Sequence, residues 1–276
     1  MPYKDQYAVF GHPINHSKSP RIHQLFAKQT QQQMSYEAQE VPAASFESAI
    51  QQFFQQGGKG LNCTVPLKEL AWQRAEQLSR RAKLSKAVNT LILQENGTLL
   101  GDNTDGIGLV TDLLNNHAIP LSDRRILILG AGGASRGILE PLLQQSPRHI
   151  VIANRTVEKA ITLSHEFSHL GDIRGCGYDD LNNAQFDLIL NATSASLTGE
   201  LPPLGEHLLA EKGCCYDLAY GNQPTAFVLW GQAQKAEKSL DGLGMLVEQA
   251  AEAFYLWRGV RPETSAIIDL LNAERS

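Results

Sequence analysis

The chain has 276 residues, and 24 Lys and Arg against 29 Asp and Glu give it a net charge of −5. With 42% hydrophobic and 19% charged residues it has a globular composition, which excludes intrinsic disorder and collagen-like repeats. The acidic balance removes any whole-chain basis for binding nucleic acid, although a small anionic ligand needs only a few local cations. Cys63, Cys176, Cys214 and Cys215 form no CxxC pair and lack metal-ligand spacing with histidine. No metal is expected, and a reducing cytoplasm is the simplest setting. No stretch approaches the roughly 18 apolar residues of a membrane span. The first residues do not read as a secretory signal.

Residues 7–11 (YAVFG) read as a buried strand. Pro20 stands at a first helical position, with Ile22, Leu25 and Phe26 following at helical spacing. Next come a strand over 35–41, a helix over 43–56 ended by Gly57-Gly58, a strand over 61–65 and a helix starting near Leu67. Residues 88–93 and 98–101 make a hairpin around Asn96-Gly97, a pair favoured where both turn positions need positive φ. Residues 105–116 read as a connecting helix. The alternation then restarts with the apolar strand 125–129 (RILIL), a glycine turn and a helix to Gln145 that Pro141 should kink. Buried strands over 150–153, 186–190 and 214–218 follow, with helices between them, and helices over 243–258 and 262–273 close the chain.

Alternating strands and helices predict an α/β protein with mostly parallel sheets. The length allows one large domain or two smaller ones, and the restart favours two, divided near residues 103–106. Periodicity alone does not say whether the last helices return to the first domain.

The strongest local signal is Gly130-Ala131-Gly132-Gly133-Ala134-Ser135, which follows a buried strand and opens a helix. Gly130 permits the tight turn, Gly132 lets backbone approach a diphosphate, and the helix start offers free N–H groups. Ser135 replaces the third glycine of the fingerprint but is small enough for close packing. A ligand-free βα turn is the plainer alternative. The next strand ends in Asn154-Arg155-Thr156, without the acid that binds the ribose 2′-hydroxyl of NAD. Arg155 can instead fork onto a 2′-phosphate, and Lys159 lies one helical turn on. Cations at a helix start oppose its dipole, so their placement favours function. NADP is the expected cofactor.

Four polar loops fall in the first third. Asn15-His16-Ser17-Lys18-Ser19-Pro20 precedes a helix, where Ser19 suits an N-cap and the two hydroxyls together suit a carboxylate. Asn62-Cys63-Thr64-Val65-Pro66-Leu67-Lys68 sits at the carboxyl end of a strand, where α/β sheets place ligands. Lys68 is either solvated or reactive. Asn89 enters an apolar strand and is either a structural bridge or a ligand contact. In Gly101-Asp102-Asn103-Thr104-Asp105-Gly106, Asp102 or Thr104 can cap the connecting helix, which leaves Asp105 as a candidate reactive carboxylate.

With these motifs the chain resembles the shikimate/quinate dehydrogenase family, specifically its NADP-dependent shikimate 5-dehydrogenases. The resemblance spans nearly the whole length. It adds Ala87-Val88-Asn89-Thr90, Asn191-Ala192-Thr193-Ser194, Tyr216-Asp217-Leu218-Ala219-Tyr220 and the run from Gly242 to Gln249 (GLGMLVEQ) to the segments above. Cys63 stands where the family often has valine, and Lys86 where it often has glycine.

The resemblance implies a mostly parallel αβα substrate domain, 1–104, completed by C-terminal helices 243–276, and a Rossmann-type doubly wound NADP-binding domain, 105–242. It implies that Ser17, Ser19 and Tyr220 hold a substrate carboxylate, and that Thr64, Asn89, Asp105 and Gln249 bind ring hydroxyls. Lys68 and Asp105 flank the reacting hydroxyl. Gly130, Ala131, Gly132, Gly133 and Ala134 cradle the diphosphate, with Asn154, Arg155, Thr156 and Lys159 at the adenosine end. Asn191, Thr193, Ser194 and Gly242 line the cofactor side, and Met245 approaches the nicotinamide. The implied activity is reversible NADP-dependent oxidoreduction of shikimate and 3-dehydroshikimate. Alternatives are quinate or dual specificity and, in another class, a non-catalytic nucleotide sensor, which would not need the Lys–Asp pair. Both monomer and homodimer fit.

Overall fold

The computed structural model describes residues 4–181, 184–205 and 207–275. Positions 1–3, 182–183, 206 and 276 of the expected domains lie outside the described residues. The chain forms two compact units: Met1–Gly108 with Val247–Asp269, and Leu109–Leu246 with Leu270–Ser276. Each crossing falls about a helical turn later than the expected boundaries at 104/105 and 242/243, because it lies inside a helix. The tail beyond Asp269 groups with the second unit rather than the first. There Arg275 forks onto Asp241, with Nη1 to Oδ2 at 2.5 Å and Nη2 to Oδ1 at 3.2 Å.

The first unit contains β1 (Asp5–Gly11), α1 (Ser19–Gln29), β2 (Met34–Glu40), α2 (Phe46–Gln55), β3 (Gly58–Cys63), α3 (Lys68–Arg74), β4 (Gln77–Leu78), α4 (Arg80–Ser85), β5 (Thr90–Leu93), β6 (Leu99–Asp102) and the start of α5 (Asp105–Thr111). Its six-stranded sheet has the order β2-β1-β3-β5-β6-β4. β1 runs parallel to β2 and β3, and β4 to β6, whereas β5 is antiparallel to β3 and β6. The run Tyr7–Gly11 is buried without alternation, as expected of a strand covered on both faces. Helix α2 lays Phe46, Ile50 and Phe53 on the sheet at spacings of four and three, beside Phe10, Leu61 and Leu91.

Local chemistry departs from expectation at four places in this unit. The strand meant to reach Val65 ends at Cys63, and the Leu67 amide folds back onto the Thr64 carbonyl at 2.7 Å. Only Gly97 of the Asn-Gly pair takes a positive φ (+82°); the turn closes from Gly97 N–H to the Gln94 carbonyl, and Asn96 accepts from the Thr98 amide. Ser19 is the first residue of α1 and not its cap; the hydroxyl of Ser17 accepts its amide at 3.3 Å. At α5, neither Asp102 nor Thr104 caps with its side chain. Asn103 Oδ1 accepts the Asp105 amide at 3.1 Å.

The second unit contains the rest of α5, a π-helical turn (Asp112–Asn116), β7 (Arg125–Leu129), α6 (Gly133–Leu143), β8 (His149–Ala153), α7 (Val157–Phe167), β9 (Ile173–Cys176), β10 (Phe186–Asn191), β11 (Leu209–Asp217), α8 (Ala226–Ala233), β12 (Lys238–Leu240) and the start of α9 (Leu243–Arg258). The remainder of α9 and most of α10 (Ser265–Ala273) belong to the first unit. The strand order β12-β11-β10-β7-β8-β9 is parallel throughout. That is the doubly wound order, with its switch point between β7 and β10, where such sheets bind dinucleotides. Leu127, Leu129, Val151 and Ile189 fill the sheet's core together with Phe186 and Phe227. Helix α6 continues through Pro141 to Leu143.

Candidate active site

In the first unit the carboxyl end of β3, the start of β5 and the end of β6 deliver their loops to one place. Lys68 is the first residue of α3. Its Nζ lies 2.5 Å from Asp105 Oδ2. The pair is partly exposed, 29% for Lys68 and 18% for Asp105, so a ligand can reach both. The other carboxylate oxygen of Asp105 accepts from Asn89 Nδ2 at 2.8 Å. Asn89, 3% exposed, also donates to Thr104 Oγ1 at 2.9 Å and accepts from the Thr104 amide at 2.9 Å. It therefore bridges the two loops, and its amide nitrogen lies 3.4 Å from Gln249 Oε1 on α9. Backbone bonds fix the same geometry: the Val88 amide donates to the Lys68 carbonyl, and the Asn89 amide to that of Asp102.

Asp102 holds the base of this loop. It accepts both arms of Arg81 at 2.8 Å, the Ser79 hydroxyl at 2.5 Å and the Asn103 amide at 2.7 Å. Burial pushes its carboxyl up, but these donors outweigh burial and hold it below the ordinary carboxylate range. Arg81 Nη2 also reaches Glu252 on α9 at 2.9 Å, one turn beyond Gln249. The loop and the helix face are thereby tied to one guanidinium. Ser17, Ser19 and Thr64 are half-buried in the same unit.

In the second unit the glycine turn follows β7. Gly130 has φ +100°, closed to L-residues without strain. A Cβ on Gly132 or Gly133 would meet no protein atom within 4 Å, and Ala134 is exposed, so the turn and the start of α6 face open space. Ser135 is fully buried and donates to the Gly130 carbonyl at 2.7 Å, which locks the turn and explains a hydroxyl in the third-glycine position. Such a cradle fits a diphosphate. Arg155, Thr156 and Lys159 are exposed at the end of β8 and the start of α7, and Asn154 Nδ2 donates to the Thr156 carbonyl at 2.9 Å. No carboxylate stands within Asn154-Arg155-Thr156, so the site suits a 2′-phosphate.

The side chain of Asn191 is engaged within the protein. It is fully buried, donates to Ser196 Oγ and Asp217 Oδ1 at 3.0 and 3.1 Å, and accepts from the Thr193 hydroxyl at 2.7 Å. It therefore shapes the loop carrying Thr193 and the exposed Ser194. Burial pushes the Asp217 carboxyl up, against the opposing pull of its Ser196 and Thr225 hydroxyl donors. Gly242 admits no side chain, because a Cβ would lie 2.2 Å from the Leu218 carbonyl oxygen. The Met245 amide donates to the Tyr216 hydroxyl at 3.2 Å. Tyr220 is half-buried, and burial pushes its phenol up. Among the described residues no cluster of three or more His, Cys, Asp or Glu could hold a metal. No helix there is long and apolar enough to cross a membrane.

Sequence reasoning missed Arg81, Tyr36 and Thr90. Arg81 sits in a six-residue helix too short to give a periodic signal, and the two hydroxyls are on strands where bulk and branching hide a polar role.

Residues 9–91 match the profile described as Shikimate dehydrogenase substrate binding domain, 112–198 that of Shikimate / quinate 5-dehydrogenase, and 242–271 that of Shikimate 5'-dehydrogenase C-terminal domain. The chain is 60% identical to the shikimate dehydrogenase (NADP(+)) of Methylococcus capsulatus over 275 residues, which cover 100% of this chain and 99% of that one. Its structure is similar to that of an Ael1 enzyme from Pseudomonas putida, with TM-score 0.92 and 48% identity, covering 97% of this chain and 98% of that one. It is also similar to shikimate 5-dehydrogenase from Thermus thermophilus in complex with NADP(H) and shikimate, with TM-score 0.87 and 32% identity, covering 99% of this chain and 100% of that one.

Proposed function

The chain belongs to the shikimate dehydrogenase family, and on that premise we propose that it catalyses the reversible NADP-dependent oxidation of shikimate to 3-dehydroshikimate. The observation that carries the reading is the Lys68–Asp105 pair at 2.5 Å, partly open to solvent, with a buried Asn89 donating to the other carboxylate oxygen. A sensor has no need of an ion pair placed where a ligand can reach it.

Bound NADP supplies the hydride acceptor. The chain's residues do the rest. Gly130, Ala131, Gly132, Gly133 and Ala134 present backbone to the diphosphate, and Arg155 and Lys159 take the 2′-phosphate, with Asn154 and Thr156 shaping that loop. Thr193, Ser194 and Met245 line the nicotinamide side. Ser17, Ser19 and Tyr220 hold the substrate carboxylate. Thr64, Asn89 and Gln249 hold ring hydroxyls with Asp105.

An alcohol is a poor acid, so its proton must leave as hydride departs. Lys68 and Asp105 receive that proton as a pair and return it when the ketone is reduced. The ammonium of Lys68 also stabilises alkoxide character on the reacting oxygen in either direction. Asn89 fixes the carboxylate so that its free lone pairs and Lys68 address the same oxygen. The free cysteines suit a cytoplasmic setting.

The test is absorbance at 340 nm with NADP and shikimate, then quinate, then each with NAD. Turnover with shikimate and NADP exceeding all other pairs supports the reading. Quinate as the better substrate would move the enzyme to the other specificity of the family, and no turnover with any pair would revive the sensor.

A further inference from the structure

Tyr36 has no part in the mechanism above, yet its hydroxyl is tied into the site. It lies on β2, is 3% exposed, and its ring stacks on that of His23 at 4.0 Å and 9°. The ring is thus held flat with one polar atom to place. That hydroxyl donates to Asn62 Oδ1 at 2.7 Å. Asn62 Nδ2 donates to Thr90 Oγ1 at 3.0 Å. Thr90 Oγ1 donates to Asn89 Oδ1 at 2.8 Å, and Asn89 Nδ2 to Asp105 Oδ1 at 2.8 Å. The Ser19 side chain adjoins the Tyr36 phenol at the other end. Asn62, Asn89 and Thr90 are all buried.

The direction of these bonds is fixed by backbone groups. Asn89 Oδ1 faces the Thr104 amide, which can only donate, so the other end of Asn89 must be the donor toward Asp105. Thr90 must then give its proton to Asn89 Oδ1 and accept from Asn62. Asn62 Nδ2 also faces the Asn89 carbonyl at 2.9 Å, which can only accept, so Asn62 Oδ1 must receive from Tyr36. The oxygen of Tyr36 is left to accept, on the side where Ser19 stands. Every link therefore has its donor on the Ser19 side and its acceptor on the Asp105 side. Aligned chains of this kind strengthen each other's bonds in a low-dielectric interior.

We propose that Tyr36 and Thr90 are positioning residues in a one-directional hydrogen-bond relay that couples the Ser19 end of the site to Asp105. The relay rests on the reading of Asp105 as one of the reacting pair. A ligand carboxylate that accepts a hydrogen bond from the Ser19 hydroxyl changes the surroundings of the Tyr36 oxygen, and the change passes through Asn62 and Thr90 to the amide that orients Asp105. Anchoring of the carboxylate and alignment of the acid–base pair become one event.

Tyr36→Phe and Thr90→Val each delete one hydroxyl while keeping shape, and Thr90→Ser restores the hydroxyl. In the full-length enzyme, kcat for shikimate should fall about fivefold to twentyfold in Tyr36→Phe and Thr90→Val, with KM for NADP changed less than about twofold. Thr90→Ser should stay within about twofold of wild type in kcat. In the ligand-free protein, the side-chain amide resonances of Asn89 should move in Tyr36→Phe and Thr90→Val. Among the described residues no hydrogen bond joins Tyr36 to Asn89 directly, so that shift reads passage through Asn62 and Thr90. Wild-type kcat in both deletions, or an Asn89 amide unmoved in Tyr36→Phe, overturns the relay. If the wild-type protein itself does not turn over shikimate, the functional reading falls, and the Asn89 resonances still decide the relay.

Discussion

Lys68 can contribute mainly to binding or mainly to the transition state, and kinetics separates the two. If the Lys68–Asp105 pair meets the reacting hydroxyl as proposed, Lys68→Ala should lower kcat about 10²- to 10⁴-fold with a much smaller change in KM for shikimate. Steady-state rates in both directions check this, and a loss confined to KM would make it a binding residue. Arg155 is the corresponding discriminator for the cofactor. Arg155→Ala should raise KM for NADP about tenfold or more and leave KM for NAD nearly unchanged, since only NADP carries the 2′-phosphate. Equal losses with both would remove that contact. Lys68, Asn89, Asp105 and the glycine turn were legible in the sequence because each is a polar or flexible residue where a packed α/β element has no use for one. Tyr36 and Thr90 were not, because a strand tolerates their rings and branches whatever the hydroxyl does. Asn191 belongs to a recognisable motif, and the structure adds what the motif does not show: its amide is engaged by Asp217, Ser196 and Thr193.

At the scale of elements, long periodic segments could be read and short ones could not. β7 follows the expected bounds because five apolar residues end directly at a glycine turn. β4, α4 and β12 have two, six and three residues and leave no pattern to detect. The end of α4 carries a cost of its own. Lys86 closes the helix in the left-handed region at φ +52°, where a Cβ is strained. Lys86→Gly should raise stability by about 0.5–1 kcal/mol. Urea denaturation should show a higher midpoint with an unchanged slope, and an unmoved midpoint would mean that the lysine's own contacts compensate. Because Lys86 stands three residues before Asn89, this exchange also tests whether the loop tolerates a looser backbone without loss of kcat.

At the scale of the molecule, acid is the expected weakness. His23 is fully buried against Phe26, Tyr36, Phe254 and Trp257, and neither ring nitrogen has a hydrogen-bond partner among the described residues. Burial lowers it from the ordinary 6.5 to about 3. Between those values the unfolded chain takes up a proton that the folded chain refuses. The His23 contribution is therefore complete above pH 6.5 and is lost as pH falls toward 3, at up to about 1.4 kcal/mol per pH unit. His23→Phe should flatten the fall in urea midpoint between about pH 6.5 and 4, and an equally steep fall would assign the acid sensitivity to other groups. The chain path has a consequence for synthesis. The first unit takes its last contribution from Val247–Asp269, and residues 109–246 are made in between. At roughly 5–20 residues per second, the N-terminal sheet waits on the order of ten seconds for the helix that bears Gln249 and Glu252. By the end of that interval the second unit's parallel sheet is complete in sequence. On the ribosome the order of folding therefore inverts the order of the chain: the cofactor-binding half can close first, and the half that carries Lys68 and Asp105 closes around an element delivered after it.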